Sequence, residues 1–317
     1  MLAVPSITPL PTARRDRASP AVYPLAPFAG ERPPAPAWFT DALLVEPRRR
    51  WINVEGARIE TLAWGDPHAP GLLLMHGQSA HAGWWRHIAP FLAEGRQVVA
   101  FSWSGMGRSD WRERYSTAIM EREAMAVMEA FGFFRHAVRP TIVGHSLGGL
   151  PTLGLATSHA EAFEGAIAID TSVSSRRLPS DPDATHSSRV YPTLAAALAR
   201  FRFVNSTGTE RAYVADMFAR DGLAKVPDAD GGPGWRWTFD PNARSRFDKR
   251  KVAIEEVGCP LSLIYGADSL VVTPEARRAA IAAAPAETRS VVIPRCGHHV
   301  MAEEPLALIA ALQAFCA

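Results

Sequence analysis

The chain has 317 residues, of which 47% are hydrophobic and 21% charged, and a formal charge of +2. This balance supplies enough apolar material for a sizeable core, and it excludes the broad basic field that nucleic acid or an anionic membrane would require. Three cysteines, Cys259, Cys296 and Cys316, form no CxxC pair and no metal-ligand spacing, no apolar run reaches the length of a membrane span, and the N-terminus lacks the order of a signal peptide, so a cytoplasmic protein without disulfides is expected.

Ten of the 26 prolines fall in the first 47 residues. Proline lacks an N–H and fixes φ, so residues 1–47 read as a Pro-rich extended arm, with Trp38-Phe39 and Leu43-Leu44 able to anchor part of it. The short basic clusters Arg14, Arg15, Arg17 and Arg48 to Arg50 read as solvated surface. From Arg50 the pattern changes. Trp51 to Val54 and Arg58 to Trp64 predict two strands about a turn at Glu55-Gly56, and Gly71 to Met75 a buried strand. Trp84 to Ala93 predicts a helix, Gln97 to Phe101 a strand, and Ser116 to Phe131 a helix with Ala124, Val127, Met128 and Phe131 on one face. Strands follow at Pro140 to Val143 and Ala166 to Asp170, then at Leu261 to Tyr265 and Ser290 to Ile293, with helices from Leu147, Pro274 and Pro305.

Such alternation builds a mostly parallel sheet with helices on both faces. It lapses between Ser172 and Gly258, where helical pieces at Thr193 to Phe203 and Thr209 to Arg220 precede a Gly-Pro break and the run Trp235-Arg236-Trp237-Thr238-Phe239. The domain reading is therefore an arm over 1–47, an α/β core over 48–171 and 259–317, and a cap over 172–258 above the carboxyl edge of the sheet.

Gly144-His145-Ser146-Leu147-Gly148 lies between a strand and a helix, the context of a nucleophile elbow. A serine hydroxyl is a weak nucleophile, so it needs a histidine within hydrogen-bond reach and an acid to orient that histidine. His298 follows the strand ending at Ile293 and is preferred over its neighbour His299, because successive residues point in different directions. Asp268, after the strand ending at Tyr265, is the expected acid, and Asp170, ending the strand after the elbow, is its rival. Oxyanion donors are expected from the amide of Leu147 and from that of Gln78 in His76-Gly77-Gln78-Ser79. His145 reads as a packing residue, and His81, His87 and His186 as surface or core. No HExxH or acidic cluster points to a metal.

His76-Gly77-Gln78, Gly105-Met106-Gly107-Arg108-Ser109-Asp110, the elbow, Gly266-Ala267-Asp268, and Gly297-His298 with Glu303 and Pro305 together resemble the α/β-hydrolase superfamily, in its serine-nucleophile branch with an inserted cap. The resemblance covers about residues 50 to 315. It implies an α/β-hydrolase fold with an eight-stranded, mostly parallel sheet, with Ser146 as nucleophile, His298 as base, Asp268 as its partner, and Gln78 with Leu147 as oxyanion hole. Many relatives carry aspartate three residues before Gly105, where this chain has Ser102, which bears on loop geometry. Serine at 146 argues against the epoxide-hydrolase and dehalogenase branches, which need aspartate there.

The expected activity is hydrolysis of small or medium carboxylic esters through an acyl-enzyme, with no cofactor, no metal and no nucleic-acid partner. Lactone or carbon–carbon bond hydrolysis would use the same triad, and a hydrolase-like ligand-binding protein is the alternative from another class. Trp84, Trp103, Trp235 and Trp237 are candidate contacts for a small ester-type substrate. Phe201, Phe203, Tyr213, Phe218 and Phe239 are further aromatic candidates for the pocket, and Arg176, Arg177 and Arg189 read as solvated cap charge.

Overall fold

Strand pattern and burial coincide in the inner strands, while the edge strands Arg48–Val54 and Arg289–Ile293 are largely exposed. The structure, a computed structural model, describes residues 23–173, 188–204, 206, 208–228, 230–248 and 252–316. Arg14, Arg15, Arg17, Arg176, Arg177 and His186 lie outside these residues.

Eight core strands form one sheet: β1 (Arg48–Val54), β2 (Ala57–Trp64), β3 (Gly71–Met75), β4 (Gln97–Phe101), β5 (Thr141–His145), β6 (Gly165–Ile169), β7 (Leu261–Gly266) and β8 (Arg289–Ile293). Their spatial order is β1-β2-β4-β3-β5-β6-β7-β8. β2 runs antiparallel to both neighbours, and every other pairing is parallel. The inner strands β3, β4 and β5 are buried along their whole length, as parallel strands covered on both faces must be, which is why they read as mostly apolar runs.

Helices Thr117–Ala130 and Gly149–Ser158 pack on one face. The helix Pro305–Cys316 packs on the other, together with Trp85, Ile88 and Phe91. Ser116 caps the first of these helices by accepting the N–H of Ile119. The helix expected over Trp84 to Ala93 is shorter than its pattern: a single tight turn at Ala82–Trp85 and one helical turn at Ala89–Leu92, with Pro90 unable to donate to a helix arriving from upstream.

Part of the N-terminal arm is ordered structure. Helix Ala37–Leu44 buries Phe39 and Ala42 in the core, and Leu25 is buried in a separate cluster with Leu198, Ala215 and Leu223. Between β6 and β7, helices Leu194–Leu198 and Ala212–Asp221 precede an antiparallel hairpin, Leu223–Pro227 with Pro233–Trp237. The aromatic run is thus mostly strand, placing Trp235 and Trp237 on the same side of the ribbon two residues apart. This segment meets the loop after β3 where Phe218 stacks on Trp84, with centroids 4.2 Å apart and planes 9° off parallel, and where Arg86 pairs with Asp221 at 3.0 Å. No helix among the described residues is long and apolar enough to cross a membrane.

Candidate active site

Ser146 leaves the end of β5 with φ +53°, a conformation that costs a residue with a β-carbon strain and persists only where packing enforces it. Enforcement comes from the turn itself. A β-carbon on Gly148 would lie 2.6 Å from the carbonyl oxygen of His76, and one on Gly144 would collide with the carbonyl of Gly148. The elbow expected from the sequence is therefore a steric fact, with the helix Gly149–Ser158 launched directly behind it.

The hydroxyl of Ser146 lies 2.9 Å from His298 Nε2, and His298 Nδ1 lies 2.6 Å from Asp170 Oδ2. Here the geometry corrects the expected acid. Asp268 is exposed, and its backbone N–H donates to Cys296 O at 2.8 Å. The turn after β7 carries that carboxylate outward and instead sends back Ser269, whose hydroxyl donates to Asp170 Oδ2 at 2.6 Å. Asp170 also accepts the N–H of Gly266 at 3.1 Å, so this fully buried carboxylate has three donors. Its position follows from register: β5 and β6 are adjacent and parallel with His145 opposite Ile169, so Ser146 and Asp170 leave the sheet side by side. Asp170 has φ +43°, a second non-glycine residue held in the left-handed region at this edge.

His145 is buried and donates from Nε2 to His298 O at 2.8 Å, holding the histidine loop from below. Burial, reinforced by neighbouring His298 and His299, holds its pKa well below the ordinary value. His299 is directed elsewhere, as expected: its Nε2 donates to Val204 O in the cap at 2.8 Å, and burial takes its pKa down to about 3. Glu303 braces the same loop, accepting the N–H of Gly297 at 2.6 Å and of His299 at 3.1 Å, with Ser206 Oγ of the cap at 3.2 Å. Burial raises the pKa of this carboxyl.

The loop after β3 abuts the elbow. A β-carbon on Gly77 would sit 3.1 Å from Ser146 Cβ, so glycine lets the backbone leading to Gln78 approach the nucleophile. Buried His76 fixes this loop, donating from Nδ1 to Gly77 O at 2.7 Å and accepting the N–H of Trp103 at Nε2 at 3.2 Å. Burial lowers its pKa to about 3, so it is neutral, as an acceptor at Nε2 must be. Trp103, a candidate pocket residue by sequence, is instead a core residue: it is 1% exposed and its indole N–H donates to His76 O at 2.9 Å. Trp84 lies close to the site, its ring 5.6 Å from that of His299 and 5.9 Å from that of Phe203. Trp235 is half-buried and pairs with Tyr191, and Trp237 packs against Phe201 with ring centroids 5.9 Å apart.

The departure at Ser102 has a counterpart on a neighbouring strand. Ser102 Oγ donates to Glu60 Oε2 at 2.8 Å and accepts the N–H of Ala82 at 3.0 Å. Glu60 is buried, receives Arg49 and accepts the N–H of Arg108 at 3.2 Å. A serine–glutamate pair thus supplies a buried carboxylate at this loop. The sequence analysis did not single out Glu60; an acid between Ile59 and Thr61 in a predicted strand was the available signal.

Comparison with known proteins agrees with this architecture. Residues 72–312 match the family model described as alpha/beta hydrolase family. A 2-hydroxy-6-oxo-6-(2'-aminophenyl)hexa-2,4-dienoic acid hydrolase from Metapseudomonas resinovorans is 25% identical over 280 residues, covering 81% of this chain and 86% of its own. An esterase from Mycobacterium tuberculosis is 24% identical over 269 residues, covering 81% and 86%. The solved structure of that esterase superposes with a TM-score of 0.62 at 20% identity over 98% of this chain and 99% of its own. A thioesterase domain from the curacin biosynthetic pathway superposes with a TM-score of 0.69 at 20% identity over 84% and 99%. With its sheet order, its elbow and the family match in agreement, the chain belongs to the alpha/beta hydrolase family.

Proposed function

We propose that this protein is a serine hydrolase of small to medium carboxylic esters that works through an acyl-enzyme. The observation that carries the reading is the continuous line from Ser146 Oγ to His298 Nε2 at 2.9 Å and from His298 Nδ1 to Asp170 at 2.6 Å. Asp170 keeps the proton on Nδ1, so Nε2 presents its lone pair to the hydroxyl. Ser146 attacks the ester carbonyl as His298 takes its proton, and His298 returns that proton to the leaving alcohol. Water, deprotonated by the same nitrogen, then releases the acid and regenerates Ser146.

Negative charge develops on the carbonyl oxygen during attack. The amide of Leu147, the first residue after the nucleophile, and that of Gln78 are the donors assigned to it. No cofactor enters this scheme. Trp84, beside His299 and Phe203, supplies an apolar wall for the substrate, and Trp235 and Trp237 extend apolar surface into the cap hairpin.

A second reading has one specific support. The Metapseudomonas resinovorans relative is named for carbon–carbon hydrolysis of a dienoic acid, chemistry that the same three residues would serve here. A panel of p-nitrophenyl esters of graded acyl length, run beside a vinylogous dienoic acid, separates the two. Ester turnover abolished in Ser146→Ala supports the esterase; turnover of the dienoic acid alone replaces it, and absence of both together with no labelling by a fluorophosphonate returns the chain to ligand binding.

A further inference from the structure

We infer that His145, His298 and His299 form a binding site for a transition-metal dication of the zinc or copper type, and that an ion held there silences Ser146. One ring nitrogen from each of the three lies within 4.8 Å of the others, and all three side chains are buried.

Hydrogen bonding decides which nitrogens are on offer. His145 Nε2 donates to His298 O, His299 Nε2 donates to Val204 O, and His298 Nδ1 is taken by Asp170. Each neutral ring then carries its lone pair on the opposite nitrogen: Nδ1 of His145, Nδ1 of His299 and Nε2 of His298. The first two are buried with no hydrogen-bond partner in the structure. An unsatisfied buried acceptor is costly, and two of them on rings 5.9 Å apart, both beside the reactive histidine, make a donor set without a proton to receive.

The rest of the arrangement is that of metal-binding histidines, whose second nitrogen is anchored to a backbone carbonyl or a carboxylate that fixes the ring. Two rings here are held by carbonyls and one by Asp170. Three imidazoles select zinc or copper over magnesium or calcium, which require oxygen. Metal–nitrogen bonds of about 2.0–2.1 Å require the rings to close on the ion by shifts on the order of an ångström. The ion also takes the lone pair that His298 otherwise offers to Ser146 Oγ at 2.9 Å. Binding stands on the three histidines alone; inhibition rests on the hydrolase reading.

The test uses the full chain, stripped with chelator, in equilibrium dialysis against zinc chloride and against magnesium chloride. One zinc and no magnesium per chain is expected, with affinity reduced at least about tenfold in His299→Gln, whose amide can still donate to Val204 O. Circular dichroism confirms that this variant is folded, and the copper(II) electron paramagnetic resonance spectrum of the unmutated protein is expected to show coupling to imidazole nitrogens. No stoichiometric zinc, equal affinity in His299→Gln, or a copper spectrum without nitrogen coupling overturns the site. Zinc is also expected to abolish ester turnover, with recovery on adding chelator. Full turnover at saturating zinc overturns the inhibition, while a protein that binds zinc but hydrolyses no ester at all overturns the esterase reading and leaves the metal site standing.

Discussion

Asp170 Oδ2 accepts the Nδ1–H of His298 at 2.6 Å although 128 residues separate the two in the chain, and the acid comes from the strand beside the elbow rather than from the next strand over. Asp170→Asn is therefore expected to lower kcat by roughly 10²- to 10⁴-fold, because an amide can present its NH2 to Nδ1 and trap the wrong tautomer. Asp268→Asn, at an exposed position, is expected to stay within about threefold of the parent, as surface substitutions usually do. Parallel kcat measurements on the two variants check this; a larger loss at Asp268 contradicts the geometry.

The brace on the histidine loop predicts a different kinetic signature. Glu303 accepts two backbone N–H groups flanking His298, one at each carboxylate oxygen, so Glu303→Gln leaves one of them facing an NH2 with no acceptor. Misplacement of His298 is expected to lower kcat by about ten- to a hundredfold while KM changes little, since the substrate pocket is untouched. Stopped-flow separation of binding from acylation checks the split.

Ser102 offers a test of the buried pair it makes with Glu60. Ser102→Asp places a second carboxylate against Glu60, whose Oε2 already lies 2.8 Å from Ser102 Oγ. Like charges in a buried site repel, so the single variant is expected to be less stable in urea by at least about 1 kcal/mol. Adding Glu60→Gln is expected to recover part of the loss, a non-additivity that a double-mutant cycle measures.

Buried histidines give the acid dependence. Burial holds His87 down at about 4, while its Nε2 donates to Met301 O at 2.8 Å. Below its unfolded value near 6.5 the unfolded chain binds a proton that the folded chain refuses, so stability falls as pH drops from about 6.5 to 4, by roughly 1.4 kcal/mol per pH unit from this residue. His87→Gln keeps a donor for Met301 and is expected to flatten the pH dependence over that window, measured by chemical denaturation at pH 7, 6 and 5. An unchanged slope contradicts the assignment.

How far the amino-acid pattern reaches is clear from particular residues. The inner strands β3, β4 and β5 were legible because burial on both faces leaves mostly apolar residues. The elbow was legible because Gly144 and Gly148 are required sterically. Asp170 against Asp268 was not, because both end a strand and only three-dimensional register shows which carboxylate turns inward. Trp103 was misread for a related reason: position beside a site does not say whether a ring faces the cavity or the core, and its indole N–H to His76 O settles it inward. The order in Phe39 and Leu25 was only half legible, since proline content argues against regular structure but not against docking.

Acyl transfer through Ser146 is the centre of the account, and intact-mass spectrometry on protein quenched during turnover of a p-nitrophenyl ester tests it most directly. The account predicts one added acyl group, located by peptide mapping on the segment containing Ser146 and absent from Ser146→Ala, which no longer turns the ester over. Undiminished turnover by Ser146→Ala, or an acyl group mapped to another residue, would contradict it.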